Sequence, residues 1–312
     1  KTKSFSFIPE IPGDRDFFSL TAIMKILVTG ANGFVGYYLC RQLHAAGHTV
    51  LATGKGDNRY GDIAYAYASL DFTDPFAVHD VFEAFAPEAV IHAGAMSKPD
   101  ECERDQWQAY LVNVEGTLHL LANAEEMGAY FLFVSTDFVF DGETGMYTED
   151  AAVNPVNYYG KTKAEAEEAV QEYAHTWSIV RTVLVYGLPQ GGRNNLLSVV
   201  KEKLEKGESY QVVSDQWRTP TFVEDLAAGI LQLVQQRSTG IYHLCGPDGY
   251  SPYEMAKELA ALLKLDAGLI QPCLSAAIPG AAKRPLRTGL NIEKARKGID
   301  YNPLSFREGL RR

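Results

Sequence analysis

The sequence predicts an α/β protein built on a doubly wound parallel sheet, and three observations support this fold class. Short apolar runs, such as "KILVTG" at residues 25–30 and "YFLFVST" at residues 130–136, have the length and composition of buried strands. Segments with helical spacing lie between these runs, and strands that alternate with helices predict parallel βαβ units. The runs do not alternate apolar and polar residues, which indicates that helices cover both faces of the sheet.

The first half of the chain repeats this strand–helix unit. A helix is expected after the first strand, with Gly47 as its stop, and residues 49–54 follow as the second strand. The later elements expected in this half are helices near 75–85, across 112–127 and from about 157 to 175, and strands at 89–95, 130–136 and 178–187.

After residue 187 the order of elements is less regular. Ser251, Pro252 and Glu254 have the spacing of an N-cap, a first helical residue and a capping-box partner, so a helix is expected to begin there. The other elements expected are helices at 194–208 and 223–237 and strands at 210–215 and 240–246. We expect this half to form a smaller α/β lobe at the carboxyl edge of the sheet.

Composition narrows the classes of function. The 312 residues are 46% hydrophobic and 22% charged, which is typical of a soluble globular protein, and the net charge is −10. A nucleic-acid binder needs a basic face, so nucleic acid is not an expected partner. A small ligand that carries phosphate is compatible with the negative net charge, because backbone amides and a few local cations can bind it.

The cysteines and the apolar runs bear on the compartment. Cys40, Cys102, Cys245 and Cys273 are widely spaced and form no Cys/His cluster, so we expect no metal site and free thiols in a reducing cytoplasm. No apolar run approaches the length of a membrane span, so no membrane association is expected.

The turn "TGANGFVG" carries glycines at positions 30, 33 and 36 between the first strand and the first helix. Gly30 permits a tight exit from the strand, Gly33 lets the backbone approach a pyrophosphate, and Gly36 lets the helix pack closely on the sheet. A strand–helix turn without a ligand has similar glycines, but the position after the first strand of a βαβ series favours a dinucleotide site. The other turn residues expected at the cofactor are Asn32, Phe34 and Val35.

The type of nicotinamide cofactor is expected to depend on the end of the second strand. An acidic residue there favours NAD, but "ATGKGDNR" has none at that point, and Lys55 and Arg59 are near enough to pair with a 2′-phosphate. NADP(H) is therefore expected in preference to NAD(H). Two alternatives remain open: both cations are solvated loop charges, or Asp57 reaches a ribose.

The ends of the next two strands are expected to complete this cofactor site. Asp71, followed by Phe72, could contact the adenine amino group, although an acid here could also cap a helix, a role that Asp74 before Pro75 fits better. Ala93, Gly94 and Ala95 are small enough to leave room for ribose and pyrophosphate. His92 is interpreted as a packed core residue.

These features divide the chain into expected domains. Residues 24–187 form the dinucleotide-binding domain, elements near 219–245 return to it, and residues 188–312 are mainly a substrate lobe. Residues 1–23 are expected to lie outside the core fold, because "MKILVTG" reads as a start at Met24 and the segment lacks the features of a secretory signal in order.

A tyrosine and a lysine share one face of the helix expected after residue 157. Tyr159 and Lys163 are four residues apart, whereas Lys161 faces another side and Tyr158 has Thr162 as its neighbour at that spacing. A nearby ammonium favours the phenolate, so Lys163 is expected to lower the pKa of Tyr159 and make the phenol a usable acid. The lysine can also hold a nicotinamide ribose.

Hydroxyl groups end the preceding strand. Ser135 and Thr136 lie at the carboxyl edge of the sheet, where ligands bind in doubly wound folds. A hydroxyl there can position a substrate carbonyl while hydride arrives.

Together the glycine-rich turn, the strand-end hydroxyl and Y-x-x-x-K resemble the extended short-chain dehydrogenase/reductase superfamily. Within it, "STDFVFDG", "NPVNYYGKTKAEAE", "GGRNNLL", "SDQWRTPT" and "KRPLRTGLNIEK" closely resemble the dTDP-4-dehydrorhamnose reductase family, from about Met24 to near the C-terminus. The resemblance implies a Rossmann domain, a sugar-nucleotide lobe and NAD(P)H-dependent reduction of a 4-keto-6-deoxy sugar. It also implies Thr136, Tyr159 and Lys163 as the catalytic trio, with Thr136 preferred over Ser135, and homodimers that a metal can assist.

The chain departs from the family pattern on the substrate side. Leu184 replaces a tryptophan expected to face the sugar nucleotide, Trp217 and Arg218 stand where F-G-A is usual, and Gly289 replaces a common arginine. These changes leave the reductase chemistry in place and leave the sugar open.

Three polar side chains are candidates for binding the substrate. Asn195, Arg218 and Arg284 lie in segments expected to overhang the carboxyl edge, and the planar fork of arginine suits a diphosphate. For both arginines the alternative is a surface salt bridge. Asn157 is expected to cap the catalytic helix.

The main functional hypothesis is therefore a nucleotide-sugar ketoreductase. A second hypothesis is a nucleotide-sugar epimerase or dehydratase that recycles its cofactor, although Phe138 after Asp137 weakens the dehydratase pattern. A third is a non-catalytic regulatory subunit on the same scaffold, like the β subunit of methionine adenosyltransferase.

Overall fold

A computed structural model describes residues 22–190 and 194–312 of the chain. The sheet that dominates it has seven strands in the order β10-β6-β5-β4-β1-β2-β3, and every pair is parallel. Its strands are β1 (Lys25–Thr29), β2 (Thr49–Gly54), β3 (Ala66–Ser69), β4 (Ala89–His92), β5 (Tyr130–Thr136), β6 (Trp177–Thr182) and β10 (Gly240–His243). The doubly wound parallel sheet expected from the sequence is confirmed.

Helices cover both faces of this sheet. They are α1 (Phe34–Ala45), α2 (Pro75–Phe85), α3 (Pro99–Arg104), α4 (Gln106–Tyr110), α5 (Gly116–Glu126), α6 (Tyr158–Gln171) and α8 (Val223–Gln236). Strand β5 shows how the two layers are filled: Tyr130 and Leu132 belong to one buried cluster with residues of α1 and α8, and Phe131 and Phe133 belong to the other with residues of α2, α5 and α6. Successive side chains of a strand point to opposite faces, so an all-apolar strand supplies both cores.

The later half adds elements at the carboxyl edge of the sheet. They are β7 (Val185–Tyr186) paired with β9 (Thr221–Phe222), β8 (Tyr210–Val213) paired with β11 (Ile270–Cys273), and helices α7 (Leu196–Glu205), α9 (Pro252–Leu263), α10 (Glu293–Ile299) and α11 (Phe306–Gly309). A third buried cluster includes Leu197, Met255 and Phe306. Strand β10 belongs to this later half and completes the main sheet, so the two halves of the chain are interleaved. The expected division into domains near residue 187 stays a proposal.

Side-chain caps set the expected helix starts. Asn157 accepts a hydrogen bond from the amide of Gly160 at the start of α6, and Asp74 accepts from the amides of Phe76 and Ala77. Ser251 and Glu254 form the expected capping box.

Two elements differ from the sequence-based expectation. The strand expected at 178–187 divides into β6 and β7, because Leu184 between them adopts a φ of +35°, which an extended strand cannot contain. The helix expected across 112–127 begins with a π-helical turn, Leu111–Glu115, which continues from α4 into α5.

Other expectations concern the termini, the thiols and the membrane. The predicted extension lies, as far as residue 21, outside the described residues. The four cysteines are free thiols; Cys40, Cys102 and Cys245 are buried and Cys273 is half-buried. Within residues 22–190 and 194–312, no helix combines the length and the apolarity needed to cross a membrane.

Candidate active site

A cavity of about 700 Å³ lies along the carboxyl ends of the central strands. It is bordered by the glycine-rich turn, by the ends of β2, β4 and β5, by the start of α6 and by segments of the later half. All residues that the sequence analysis proposed for the site line it: Gly30, Asn32, Gly33, Phe34, Val35, Gly36, Lys55, Arg59, Asp71, Phe72, Ala93, Gly94, Ala95, Ser135, Thr136, Tyr159, Lys163, Asn195, Arg218 and Arg284. These residues therefore share one cavity, and the role of each residue stays a prediction.

The glycine-rich turn has a shape that only glycine permits. Gly30 has a φ of +73°, and a Cβ on it would lie 2.6 Å from the amide nitrogen of Gly94. A Cβ on Gly36 would lie 2.2 Å from the carbonyl oxygen of Gly30. Helix α1 begins directly after Gly33, and no side chain caps its first amides. Uncapped amides at a helix start that lines the cavity are what an anion site requires. The turn therefore fits a dinucleotide pyrophosphate.

Asn32 ties the glycine-rich turn to the loop after β2. Its side-chain nitrogen donates to the carbonyl oxygen of Asp57 at 3.0 Å, and its side-chain oxygen accepts from the amide of Arg59 at 3.1 Å. The loop that carries Lys55 and Arg59 is therefore held beside the turn. Both cations are exposed, and the Lys55 amine pairs with the Asp71 carboxylate at 2.6 Å.

Asp71 and Asp74 have different roles in the structure. Burial alone would raise the pKa of Asp71, but hydrogen bonds from Lys55 and Thr73 outweigh it and lower this pKa. Asp74, not Asp71, caps α2, as the sequence pattern favoured. Asp71 thus remains a carboxylate at the cavity wall.

The end of β4 is packed too tightly for larger residues. A Cβ on Gly94 would lie 2.6 Å from the ring of Phe72. His92 is fully buried, with ring nitrogens 2.6 Å from the Thr29 hydroxyl and 3.1 Å from the Thr117 hydroxyl. Burial holds the pKa of His92 well below its usual value. The interpretation of His92 as a core residue is confirmed.

Thr136, Tyr159 and Lys163 meet where β5 ends and α6 begins. Tyr159 is half-buried, and its ring packs against Phe138 at 5.9 Å between centroids. The Lys163 amine donates to the carbonyl oxygen of Val134 at 2.8 Å. A hydroxyl, a phenol and an amine therefore border one end of the cavity.

The expectation that Lys163 lowers the pKa of Tyr159 is wrong for this geometry. Burial raises the pKa of Tyr159 above its ordinary value, and the Asp137 carboxylate raises it further, while the nearby Thr136 hydroxyl offsets only part of this. Lys163 is not among the groups that shift this pKa, and its amine is directed to a backbone carbonyl of β5.

Lys163 itself is strongly perturbed. Its amine lies 3.7 Å from the centroid of the Phe133 ring, inside the protein. Burial lowers the pKa of Lys163 to about 7, and the negative charge of Glu167 opposes that shift. The lysine can therefore change charge near neutral pH, which is common at functional sites.

Ser135 points into a buried ionic network and not only towards the cavity. Its hydroxyl donates to Glu167 at 2.5 Å, and Glu167 pairs with Arg181 at 2.6 Å. The side chains of this ion pair are each 2% exposed. Thr136 is thus the strand-end hydroxyl beside Tyr159, whereas Ser135 stabilises the helix behind it.

Asn195 and Arg284 reach the cavity with part of their polar groups already engaged. Asn195 caps α7 in a capping box with Ser198. Arg284 forms a two-pronged ion pair with Asp100, with both contacts at 2.8 Å. Its side chain is 21% exposed, so a diphosphate could reach it only in competition with Asp100.

Arg218 is not a surface residue, so the surface salt bridge considered for it is wrong. Its side chain is 3% exposed, because β-bridge partners on both sides enclose the segment. The guanidinium donates to the Thr288 hydroxyl, to the Gln216 side-chain oxygen at 3.0 Å and to the Pro285 carbonyl oxygen at 2.8 Å. Its Nε lies 3.8 Å from Asp137.

Sequence reasoning did not single out Asp137, Gln216 or Thr288 as site residues. Asp137 and Gln216 line the cavity, and Thr288 lies behind it. The available signal was their position beside the motifs already chosen: Asp137 follows Thr136, and Thr288 precedes Gly289. Within the described ranges, no group of three His, Cys, Asp or Glu side chains is arranged to hold a metal.

Comparisons with known proteins agree with this architecture. Among curated proteins, the dTDP-4-keto-6-deoxy-D-glucose reductase of Streptomyces niveus is 33% identical over 274 residues, 87% of this chain and 90% of that protein. Methionine adenosyltransferase 2 subunit beta of Xenopus tropicalis is 31% identical over 294 residues, 92% of this chain and 86% of that protein. A crystal structure of dTDP-4-dehydrorhamnose reductase from Bacillus anthracis, in complex with NADP, has a TM-score of 0.83 at 28% identity and covers 93% of this chain and 98% of that one.

The family model described as the RmlD substrate binding domain matches residues 24–312. The family resemblance inferred from the sequence motifs is therefore confirmed: this chain belongs to the RmlD substrate binding domain family.

Proposed function

We propose that the protein reduces the keto group of a nucleotide-linked 4-keto-6-deoxy sugar with NADPH. The observation that carries this proposal is that Thr136, Tyr159 and Lys163 line the same cavity as the glycine-rich turn. The relatives named as sugar-nucleotide reductases, which match almost the whole chain, support it.

The cofactor would lie along the first part of the cavity. Gly30, Gly33 and Gly36 would hold its pyrophosphate, Lys55 and Arg59 its 2′-phosphate, and Lys163 its nicotinamide ribose. When bound, the nicotinamide supplies hydride to the sugar carbonyl carbon. Lys55 would have to leave Asp71 to contact a phosphate.

The protein's own residues would manage the proton. Tyr159 donates its phenolic proton to the oxygen that gains negative charge as hydride arrives, which completes the alcohol. The ammonium form of Lys163 stabilises the phenolate that remains, provided that the amine turns from the Val134 carbonyl. Arg284 would hold the diphosphate of the substrate in place of Asp100.

A regulatory role is the second candidate, because the β subunit of a methionine adenosyltransferase covers the same length at 31% identity. A panel of nucleotide-linked 4-keto sugars, assayed for NADPH and NADH oxidation, separates the two. Stoichiometric NADPH consumption supports the reductase. Cofactor binding without turnover on any sugar of the panel supports the regulatory subunit, and turnover without net NADPH consumption supports an epimerase or dehydratase.

The substitution Tyr159→Phe tests the assigned acid. It removes the phenolic proton and keeps the ring, so kcat should fall by roughly 100-fold or more while the Kd for NADPH stays nearly unchanged. The matched control is Tyr158→Phe, since Tyr158 is the neighbouring half-buried tyrosine and does not line the cavity. Equal rates for Tyr159→Phe and the parent enzyme would rule out this assignment.

A further inference from the structure

A chain of buried polar groups leads from the later half of the protein to Thr136. Arg218 donates to the Thr288 hydroxyl, the Thr288 hydroxyl donates to Oδ2 of Asp137, and the Thr136 hydroxyl donates to Oδ1 of Asp137 at 3.1 Å. The side chains of Arg218 and Asp137 are 3% and 4% exposed, and Thr288 is fully buried. Water has little access to these groups, so their hydrogen bonds are made with one another inside the protein.

The direction of each hydrogen bond follows from the chemistry of the groups. A guanidinium only donates, so the Thr288 oxygen must accept from Arg218, and its single proton must go to Asp137. Burial raises the pKa of Asp137, and the positive charge of Arg218 opposes that shift. In its carboxylate form Asp137 accepts from both threonines. The one hydroxyl proton of Thr136 is therefore committed to Asp137.

This commitment limits what Thr136 can do at the site. Its oxygen also accepts from the amide of Phe138 at 3.2 Å, which leaves one lone pair for a further donor. Tyr159 lines the same cavity as Thr136. Thr136 would thus act as an acceptor at the site and would not donate to a sugar carbonyl.

We propose that Arg218, Thr288 and Asp137 are positioning residues that hold the Thr136 proton, so that Thr136 presents a fixed acceptor oxygen to the cavity that it shares with Tyr159. This inference rests on the proposed reduction at the same site. It also assigns Arg218 to the protein's internal network and not to the diphosphate of the substrate.

The backbone around Arg218 explains why the guanidinium stays in this network. The amide of Trp217 donates to the carbonyl oxygen of Leu286 at 2.7 Å, and the amide of Thr288 donates back to Trp217 at 3.1 Å. Arg218 exchanges two backbone hydrogen bonds with Tyr250, at 2.9 and 2.8 Å. The segment is therefore fixed between two neighbouring segments.

Thr288→Val is the sharpest test, because Thr288 does not line the cavity and cannot contact the substrate. It replaces the hydroxyl by a methyl group of similar size and interrupts the hydrogen bonds that connect Arg218 to Asp137. We expect kcat to fall roughly 10- to 100-fold, because catalytic groups lose their alignment. The Kd of the nucleotide sugar, measured by calorimetry, should stay within about threefold, and Thr288→Ser should restore kcat.

Double-mutant cycles with Thr136→Val connect the two ends of the chain. After Thr136→Val, the further change Thr288→Val should cost no additional kcat. The same cycle, measured by urea unfolding of the substrate-free protein, should also be non-additive because both hydroxyls share Asp137. Additive effects in the unfolding cycle would overturn the proposal.

Binding of dTDP decides the assignment of Arg218 separately. Arg284→Gln should weaken dTDP binding, whereas Arg218→Gln should leave its Kd within about threefold of the parent and lower kcat; an equal loss of binding in both variants would contradict the assignment. If the parent reduces no sugar of the panel, the proposed function fails. The substrate-free unfolding cycle still decides whether the hydrogen bonds of Thr288 and Thr136 are coupled through Asp137.

Discussion

Lys163 is a basic side chain held inside the protein by a specific set of neighbours. The Phe133 ring lies beneath its amine, and the Val134 carbonyl oxygen accepts a hydrogen bond from it. Glu167 lies one helical turn further along α6. Arg181 pairs with that same glutamate, so the negative charge is shared between two cations. The balance leaves the pKa of Lys163 at about 7.

The substitution Glu167→Gln should move this balance. Burial has already lowered the pKa of Lys163, and the loss of the negative charge should lower it further. Lys163 is an ammonium below its pKa, so activity that needs the ammonium falls as the pH rises through that value. The alkaline limb of the kcat/KM profile should therefore shift to lower pH in Glu167→Gln.

The matched control is Glu168→Gln, at an exposed position on the same helix. Its profile should follow the parent. Because Glu167→Gln leaves Arg181 without its partner, thermal unfolding should be recorded in parallel, and the profile should be taken well below the unfolding temperature. An unshifted alkaline limb would show that Glu167 does not set the charge of Lys163.

At the scale of the element, two departures from the family pattern, Trp217 and Gly289, pack directly against each other. The indole of Trp217 lies between Gly249 and Gly289. A Cβ on Gly289 would lie 2.1 Å from Cζ3 of Trp217, and a Cβ on Gly249 would lie 1.8 Å from its Cζ2. The tryptophan therefore requires glycine at both positions, and an arginine at 289 could not coexist with it.

Gly289→Ala should destabilise the protein by about 1–3 kcal/mol, because a rigid ring would have to move from a packed position. The double variant with Trp217→Ala should lose less than the sum of the two single changes, since the ring that clashes is absent. Urea denaturation measures both.

Gly298→Ala in α10 is the control, because its Cβ would lie at an ordinary contact distance of 3.7 Å from Tyr242. Alanine is also the better helix former, so this change should be neutral or stabilising. Equal losses for Gly289→Ala and Gly298→Ala would refute the packing argument.

At the scale of the whole molecule, one cavity joins the two halves of the chain. The β1–α1 turn and the loop after β2 border one end, and segments near Asn195, Arg218 and Arg284 border the other. Main-sheet strand β10 comes from the later half, so the walls of the cavity belong to one interleaved structure. A ligand that contacts the cavity should stabilise the whole fold.

NADPH should therefore raise the Tm more than NADH at equal concentration, because a ligand that binds only the native state stabilises it more the more tightly it binds. The 2′-phosphate would add contacts with Lys55 and Arg59. The double variant Lys55→Gln/Arg59→Gln should remove the difference between the cofactors. Lys201→Gln, at an exposed position of α7, is the control and should preserve it. Equal shifts in the parent would overturn the preference for NADP(H).

The local features of this protein were predictable from the sequence. Four features depend on neighbours within a few residues: the alternation of strands and helices along the first half, the glycines of the β1–α1 turn, the caps at Asp74 and Asn157, and the common face of Tyr159 and Lys163. Periodicity, turn geometry and helical spacing decide such features, so a single chain is enough to predict them.

Only the tertiary structure decided how these parts interact. It buried Arg218, coupled Trp217 to Gly289 and brought Thr288 to Asp137, 151 residues away in the chain. It also lowered the pKa of Lys163 instead of that of Tyr159. Burial and the direction of a hydrogen bond depend on which distant segments pack together, and no local pattern in the sequence carries that information.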